Sequence, residues 1–151
     1  MKRILFICHG NICRSPMAEM VLRKLAKDAG KANDYIIASA ATSREEIGHD
    51  VYPPARECLE KHGVPCLHRG AREMTRADYM QYDLIIGMDE ENRRYLNRIT
   101  NNDPIGRVRL LMDFTDRPGS VADPWYTRDF EATWRDVEEG CRGLFAYLEG
   151  K

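Results

Sequence analysis

Hydrophobic residues lie along the chain in short runs, separated by longer segments that have a single apolar face. The runs predict four strands, at Lys2–Cys8, Tyr35–Ala38, Asp83–Met88 and Val108–Met112. The first is apolar without interruption from residue 4 to residue 8, as expected for a strand buried on both faces of a parallel sheet. This run is the longest in the chain, and it is far too short to cross a membrane.

The segments between the strands have apolar residues at helical spacing and recognisable start signals. The first predicted helix runs from Pro16 to Gly30 and the second from Pro53-Pro54 to His62. A third begins at the capping-box-like Thr75-x-x-Asp78, and a fourth begins after the N-cap candidate Asp89. The last helix contains an apolar stripe of Phe130, Trp134, Val137, Cys141, Leu144, Phe145 and Leu148. Residues 113–127 are rich in proline, glycine and aspartate, and they are predicted to form a loop.

Strands that alternate with helices predict an α/β fold with a parallel sheet and helices on both faces. No repeat, low-complexity tract or linker interrupts residues 1–151, so they are predicted to form a single domain. Open sheets of this kind bind ligands beyond the carboxyl ends of their strands. Since Cys8 ends the first strand, chemistry is expected at that position.

Composition limits the class of protein further. Hydrophobic residues make up 43% of the chain and charged residues 31%, with a net charge of -1. This is a soluble globular mixture, without a basic surface for nucleic acid or a polybasic segment for membranes. The first residues resemble the start of a signal peptide, but Cys8-His9-Gly10-Asn11 ends the apolar stretch too early for the hydrophobic region of such a peptide. We therefore expect a cytoplasmic protein whose five cysteines are reduced thiols.

The segment between the first strand and the first helix has the residues of an anion-binding loop. Gly10 and Asn11 readily accept the positive φ that such a loop needs to point its N–H groups inward. The following helix N-terminus and Arg14 would both favour a thiolate at Cys8. Arg14 also offers a planar fork for two phosphate oxygens, and Ser15 can donate a hydrogen bond to the sulfur.

Residues 8–16, Cys-x-Gly-Asn-x-Cys-Arg-Ser-Pro, resemble the signature of the low-molecular-weight protein tyrosine phosphatases. Three further segments resemble family segments in the same order: Ser39-Ala40-Ala41-Thr42-Ser43, Met88-Asp89-Glu90-Glu91-Asn92 and Asp123-Pro124-Trp125-Tyr126. The resemblance covers nearly the whole chain. It implies a flavodoxin-like three-layer sandwich with a four-stranded parallel sheet, and hydrolysis of phosphotyrosine or small aryl phosphates through a phosphocysteine, without metal or cofactor.

The same resemblance assigns the catalytic roles. Cys8 would be the nucleophile and Arg14 the phosphate clamp. Asp123 would protonate the leaving phenol oxygen and later deprotonate the attacking water. Ser15 would stabilise the departing thiolate, while hydrogen bonds from Asn11 and Ser39 would hold the loop in shape.

The implied substrate-binding set is His9, Gly10, Asn11, Ile12, Cys13, Ser15, Glu45, Trp125 and Tyr126. Ile12 and the Trp125-Tyr126 pair would flank a flat slot for an aromatic ring. Cys13 would also serve in redox protection, through a reversible disulfide with Cys8. The expected partner is a phosphotyrosine-containing protein, and the expected oligomeric state is a monomer or weak homodimer.

Two segments depart from the family pattern. Arg44-Glu45 stand where many relatives have an aromatic residue, and Glu45 should disfavour acidic residues beside the phosphotyrosine. The segment His68-Arg69-Gly70-Ala71-Arg72 is one residue longer than its counterpart, so no role is assigned to His68. Arg69, Arg72 and Arg76 are interpreted as a solvated basic face, and Asp89 as an N-cap rather than a catalyst.

One further spacing resembles that of metal ligands. Cys58-x3-His62-x3-Cys66-x-His68 contains four donor residues, but the predicted helix ends at Gly63, between the two halves. The regular Cys-x2-Cys or His-x3-His spacing of zinc sites is also missing. No metal site is therefore predicted.

Three other functions fit parts of the sequence. An arsenate reductase shares this fold and loop but needs a resolving cysteine pair on a mobile segment, and Cys58 falls on a predicted helix. A phosphoarginine phosphatase tends to have a small threonine at the position of the bulky Ile12. A non-catalytic phosphate-binding or redox-sensing module would need neither the nucleophile nor the acid.

Overall fold

The four predicted strands form one parallel sheet. The computed structural model describes residues 1–150, and its strands are β1 (Lys2–Cys8), β2 (Tyr35–Ala41), β3 (Leu84–Gly87) and β4 (Val108–Leu110), in the order β2-β1-β3-β4. The next two strands in the chain lie on opposite sides of β1, so strand order reverses there. The carboxyl end of β1 is therefore the switch point at which such sheets bind ligands.

Residues 1–150 contain six α-helices, and five of them pack on the two faces of this sheet. The six helices are α1 (Arg14–Asp28), α2 (Pro53–Lys61), α3 (Arg76–Gln81), α4 (Glu90–Ile99), α5 (Pro124–Thr127) and α6 (Phe130–Leu148). Side chains of β1 alternate between two cores: Ile4 and Phe6 pack with α1, α2 and α6, whereas Leu5 and Ile7 pack on the side of α3 and α4. This arrangement confirms the predicted three-layer α/β fold. Within residues 1–150, no helix combines the length and apolarity needed to cross a bilayer.

Some boundaries differ from the prediction because short polar contacts override the apolar pattern. The fourth strand ends at Leu110, since the Asp113 carboxylate accepts the Leu110 N–H at 3.0 Å and starts a 3₁₀ turn, Leu111–Phe114. The predicted loop at 113–127 contains α5, whose first turn is capped by the Asp123 side chain through the Trp125 N–H at 3.0 Å. The first helix begins two residues before Pro16, at Arg14.

Close packing fixes α6 against the 3₁₀ turn. A Cβ atom added to Gly143 would lie 2.0 Å from the carbonyl oxygen of Phe114. Only glycine permits this approach without moving the helix. The position of α6 matters for the site because residues 113–129, which carry Asp123, connect the 3₁₀ turn region to the start of this helix.

Candidate active site

The sulfur of Cys8 lies at the centre of the loop that joins β1 to α1. Its Sγ is 3.0 Å from the Ser15 Oγ, and it accepts the backbone N–H groups of Asn11 at 3.3 Å and Ser15 at 3.4 Å. Convergent N–H groups at a helix N-terminus stabilise a negative charge. The loop therefore has the geometry of an anion site with a nucleophile at its base.

The shape of this loop depends on Asn11. Its φ is 61°, in the left-handed region, and the residue is almost fully buried. Its side chain donates to Ser15 Oγ at 2.8 Å and accepts the Arg72 N–H at 3.3 Å, while its carbonyl oxygen accepts from the Arg69 guanidinium. These bonds hold the strained residue in place, which keeps its own N–H directed at the sulfur.

Arg14 is buried beside Cys8 and is already oriented by protein acceptors. Its Nη1 donates to Asp89 Oδ2 at 2.8 Å and to the Val121 carbonyl at 3.0 Å, and its Nη2 donates to Asp123 Oδ2 at 3.3 Å. Burial lowers the pKa of Arg14, but the Cys8 sulfur and the two carboxylates outweigh it, so the pKa is raised. Of its five N–H groups, Nε–H and one on Nη2 have no partner among residues 1–150.

The Asp123 carboxylate bridges the arginine and the short helix that follows it. One oxygen caps α5 at the Trp125 N–H, and the other accepts from Arg14. Trp125 and Tyr126, the next exposed aromatic residues on α5, stand over the same opening. The ring of Tyr52 supports Trp125 from behind, with the ring centroids 5.0 Å apart.

These groups enclose one pocket of about 190 Å³. It is lined by Cys8, His9, Gly10, Ile12, Cys13, Arg14, Glu45, Glu46, Asp123, Trp125 and Tyr126. The structure thus brings together all three predicted catalytic residues and most of the predicted substrate-binding set. Asn11 and Ser15 lie behind the pocket, where they bond to one another and to the sulfur.

His9, Glu45 and Glu46 line the pocket, and each glutamate contacts a histidine. His9 Nε2 is 3.1 Å from Glu45 Oε2, and His49 Nδ1 is 2.5 Å from Glu46 Oε2. Sequence analysis identified Glu45 but missed Glu46. Both carboxylates belong to the loop after β2, and Glu46 directly follows the Arg44-Glu45 pair that stands where the family pattern has an aromatic residue.

Cys13 lies in the wall of the pocket as a buried free thiol. Burial raises its pKa, and the neighbouring Cys8 and Asp123 raise it further. Because only the thiolate attacks a disulfide or peroxide readily, Cys13 is a poor nucleophile in this state. Its predicted redox role stays a prediction.

The structure places Ser39 differently from the sequence expectation. Its hydroxyl donates to Glu19 Oε1 at 2.6 Å on α1, and the other oxygen of that carboxylate accepts from Arg23 at 3.0 Å. Ser39 thus ties β2 to α1. Within the described part of the chain it has no hydrogen bond to the phosphate loop, which is the loop of residues 9–13 between β1 and α1. Ser39 therefore affects the phosphate loop only through the position of α1.

The predicted solvated basic face is wrong for two of its three arginines. Arg69 donates to the carbonyl of Asn11 and, at 3.2 Å, to the carbonyl of His49. It therefore links the phosphate loop to the loop after β2. Arg72 pairs with Asp78 at 3.0 Å. The neighbouring His68 instead contacts Asp50 at 2.6 Å, away from the pocket.

Asp89 makes two contacts, and one of them joins it to Arg14, which is 75 residues away in the sequence. One oxygen caps α4 through the Asn92 N–H at 2.8 Å, as predicted, and the other accepts from Arg14. The local sequence signals only the cap. The contact with Arg14 arises because the ends of β1 and β3 are adjacent in the sheet.

Comparison with known proteins agrees with this geometry. The family described as "Low molecular weight phosphotyrosine protein phosphatase" matches residues 3–151. The human protein of that description is 39% identical over 98% of this chain and 94% of its own length. The crystal structure of YfkJ from Bacillus subtilis superimposes with a TM-score of 0.95 at 33% identity, covering 99% of this chain and 96% of that one.

A Drosophila arginine phosphatase has the same fold at 25% identity, with a TM-score of 0.88 and coverage of 99% and 98% of the two chains. The fold alone therefore accommodates more than one phosphate ester or amide. The family match, by contrast, spans the phosphate loop, the Asp123 loop and the strands that position them. On this evidence the chain is an enzyme of the low molecular weight phosphotyrosine protein phosphatase family.

Proposed function

We propose that this enzyme hydrolyses phosphotyrosine in proteins, and small aryl phosphates, through a phosphocysteine intermediate. The observation that carries the proposal is the convergence of three groups on one pocket: the Cys8 sulfur, the Arg14 guanidinium and the Asp123 carboxyl group. Each supplies something that the reaction needs, namely a nucleophile, a charge clamp and a proton donor.

In the first step the phosphate enters the loop above Cys8. Backbone N–H groups and the two unpartnered N–H groups of Arg14 bind its oxygens. The Cys8 thiolate attacks phosphorus, so that an S–P bond forms while the P–O bond to the phenol breaks. Protonated Asp123 transfers its proton to the departing phenol oxygen, which leaves the aspartate as a carboxylate.

In the second step water hydrolyses the intermediate. The Asp123 carboxylate takes a proton from water, whose oxygen attacks phosphorus as the S–P bond breaks. The Ser15 hydroxyl, 3.0 Å from the sulfur, donates to the departing thiolate. Inorganic phosphate leaves, and Asp123 is protonated again for the next turnover. Positive charge for both steps comes from Arg14 and backbone amides, so the proposal requires no metal or cofactor.

The walls of the pocket support an aromatic leaving group. Ile12, Trp125 and Tyr126 all line the pocket. A bulky Ile12 narrows the entrance in a way that suits a flat ring better than a guanidinium. Glu45 and Glu46 at the rim add negative charge, which supports a preference for substrates without acidic flanking residues.

The test is turnover of p-nitrophenyl phosphate, a phosphotyrosyl peptide, a phosphoseryl peptide and phosphoarginine, each in the presence of a chelator. We expect rapid hydrolysis of the first two only. Cys8→Ser should abolish turnover, and Asp123→Ala should lower kcat by about 10²–10⁴-fold with little change in KM. The exposed Asp116→Asn serves as the matched control and should behave as wild type.

Two results would overturn the proposal. Faster hydrolysis of phosphoarginine than of phosphotyrosine would assign the enzyme to the substrate class of the Drosophila structure. Thioredoxin-dependent reduction of arsenate that outpaces dephosphorylation would replace the phosphatase with a reductase. A cytoplasmic location and a monomeric or weakly dimeric state are parts of the proposal that fractionation and sedimentation would test.

A further inference from the structure

A second cluster of chemically active side chains lies where the end of α2 meets the start of α6. Cys58, His62 and Glu131 each offer one ligand atom, and the three atoms lie within 4.8 Å of one another. His62 Nε2 is 2.7 Å from Glu131 Oε2. The Cys58 thiol points the same way, since it donates to the Phe130 carbonyl at 3.6 Å, one residue before the glutamate.

We propose that Cys58, His62 and Glu131 form a binding site for a zinc ion. Cysteine and histidine four residues apart lie on one face of a helix, a spacing that can place two ligands on one metal. Thiolate, imidazole and carboxylate are the ligand types that zinc accepts together, whereas magnesium and calcium require oxygen ligands. Three protein ligands leave a fourth tetrahedral position for water, on the side where His62 and Glu131 reach solvent.

Small movements complete the coordination geometry. Zinc bonds of about 2.0–2.3 Å place tetrahedral ligand atoms about 3.3–3.7 Å apart, so the atoms need to shift by roughly 1 Å. The imidazole of His62 is already oriented, because it stacks on Trp134 at a centroid distance of 4.2 Å and an interplanar angle of 8°. Lys61 Nζ holds the other oxygen of Glu131 at 3.2 Å, which leaves Oε2 for the metal.

The charges of the cluster balance those of the ion. A divalent cation with one thiolate, one carboxylate and a neutral imidazole forms a neutral unit, so a partly buried site does not carry an uncompensated charge. Zinc binds the thiolate form of cysteine, so the S–Zn bond forms as the Cys58 thiol proton is released to solvent. The ammonium of Lys61 opposes the cation, but it is largely exposed.

This site corrects the ligand set that the sequence spacing suggested. Cys66 and His68 take no part, because the Cys66 thiol faces the Leu67 carbonyl and His68 binds Asp50. The third ligand is instead Glu131, which is 69 residues from His62 in the sequence. The site lies outside the phosphate pocket, so the proposal does not depend on phosphatase activity.

The test is titration of the metal-free protein with Zn²⁺ by calorimetry, and with Co²⁺ as a spectroscopic substitute. We expect saturable binding, a thiolate-to-cobalt charge-transfer band, and a chelator-reversible rise in Tm with Zn²⁺. Cys58→Ser should abolish the band. His62→Gln and Glu131→Gln, which change exposed side chains, should weaken Zn²⁺ affinity at least about tenfold. These two variants keep the test valid if Cys58→Ser does not fold.

Controls separate this site from the other thiols. Cys8→Ser should retain the cobalt band, which excludes binding at the phosphate loop. Cys66→Ser, in the segment after α2, and the partly exposed Glu138→Gln, on α6, should bind zinc as wild type does. The proposal is overturned if Zn²⁺ does not bind, if the band disappears in Cys8→Ser but persists in Cys58→Ser, or if His62→Gln and Glu131→Gln bind zinc normally.

Discussion

The left-handed conformation of Asn11 gives a prediction that can be quantified. We compare Asn11→Gly and Asn11→Ala, which both remove the side-chain bonds to Ser15 and Arg72. Each bond contributes about 1 kcal/mol, so Asn11→Gly should lower the free energy of unfolding by about 2 kcal/mol. Alanine must in addition adopt φ near 61°. Glycine loses more conformational freedom on folding than alanine does, which offsets part of this strain. The net additional loss of stability for Asn11→Ala is about 1 kcal/mol.

Two assays measure the effects of the substitutions on stability and on activity. Urea unfolding gives the stability of each variant, and hydrolysis of p-nitrophenyl phosphate gives kcat/KM. If the strain of alanine is relieved by distortion of the loop, the Asn11 N–H turns away from Cys8. The alanine variant should then be about fivefold less active than the glycine variant, since about 1 kcal/mol corresponds to that factor.

A matched pair at a remote position controls for the backbone effect. Asn101 is exposed and has a φ of 58°, but it lies in the turn after α4, far along the chain from the phosphate loop. Asn101→Ala should be about 1 kcal/mol less stable than Asn101→Gly, with kcat/KM unchanged in both. Equal stability and equal activity for Asn11→Ala and Asn11→Gly would refute the argument that the left-handed residue shapes the loop.

Three further predictions concern other parts of the structure. Arg69→Gln should lower kcat/KM about tenfold, because the carbonyl of Asn11 loses a charged donor worth about 1.5 kcal/mol; wild-type kinetics would contradict this. The hydrogen bond with His68 is the main cause of the lowered pKa of Asp50. Asp50→Asn should therefore cost about 1 kcal/mol in urea unfolding at pH 7, a modest value since the side chain is 39% exposed. That loss should shrink as the pH falls below about 4, because Asp50 is then protonated in the unfolded chain before it is protonated in the folded protein, and it should vanish only below the lowered pKa of the folded state. Gly143→Ala should lower the free energy of unfolding by about 2–3 kcal/mol through its clash with Phe114, and a gain, as helix propensity alone predicts, would refute the packing argument.

The parts of the structure that the sequence predicted are those encoded by neighbouring residues. The continuous apolar run of β1 and the start of the next helix are local signals, so the positions of Cys8 and Arg14 at a strand-to-helix turn followed from them. Asp123 was identified only by resemblance to a family motif. Its role as the cap of α5 was missed, because Asp-Pro occurs in many loops without forming a helix.

The parts that could not be predicted depend on contacts between distant segments. Arg69 looked like one of several surface arginines, and nothing near it indicates that its side chain reaches Asn11. Likewise, nothing in the sequence near Ser39 indicates that its hydroxyl donates a hydrogen bond to Glu19. The proposed zinc ligands show the same limit, since Cys58 lies on α2 and His62 is its C-cap, but the third ligand comes from the start of α6. Such pairs become visible only when the elements are packed.

The capping role of Asp123 has a consequence for selectivity. One carboxyl oxygen is anchored to the first turn of the helix that carries Trp125 and Tyr126, so the Asp123 carboxyl group and the two aromatic side chains move as a single body. In the proposed reaction, a phenyl ring that fills the slot sets the donor at the correct depth over the ester oxygen. A phosphoserine leaves the slot empty, and discrimination against it would then appear in turnover as well as in binding.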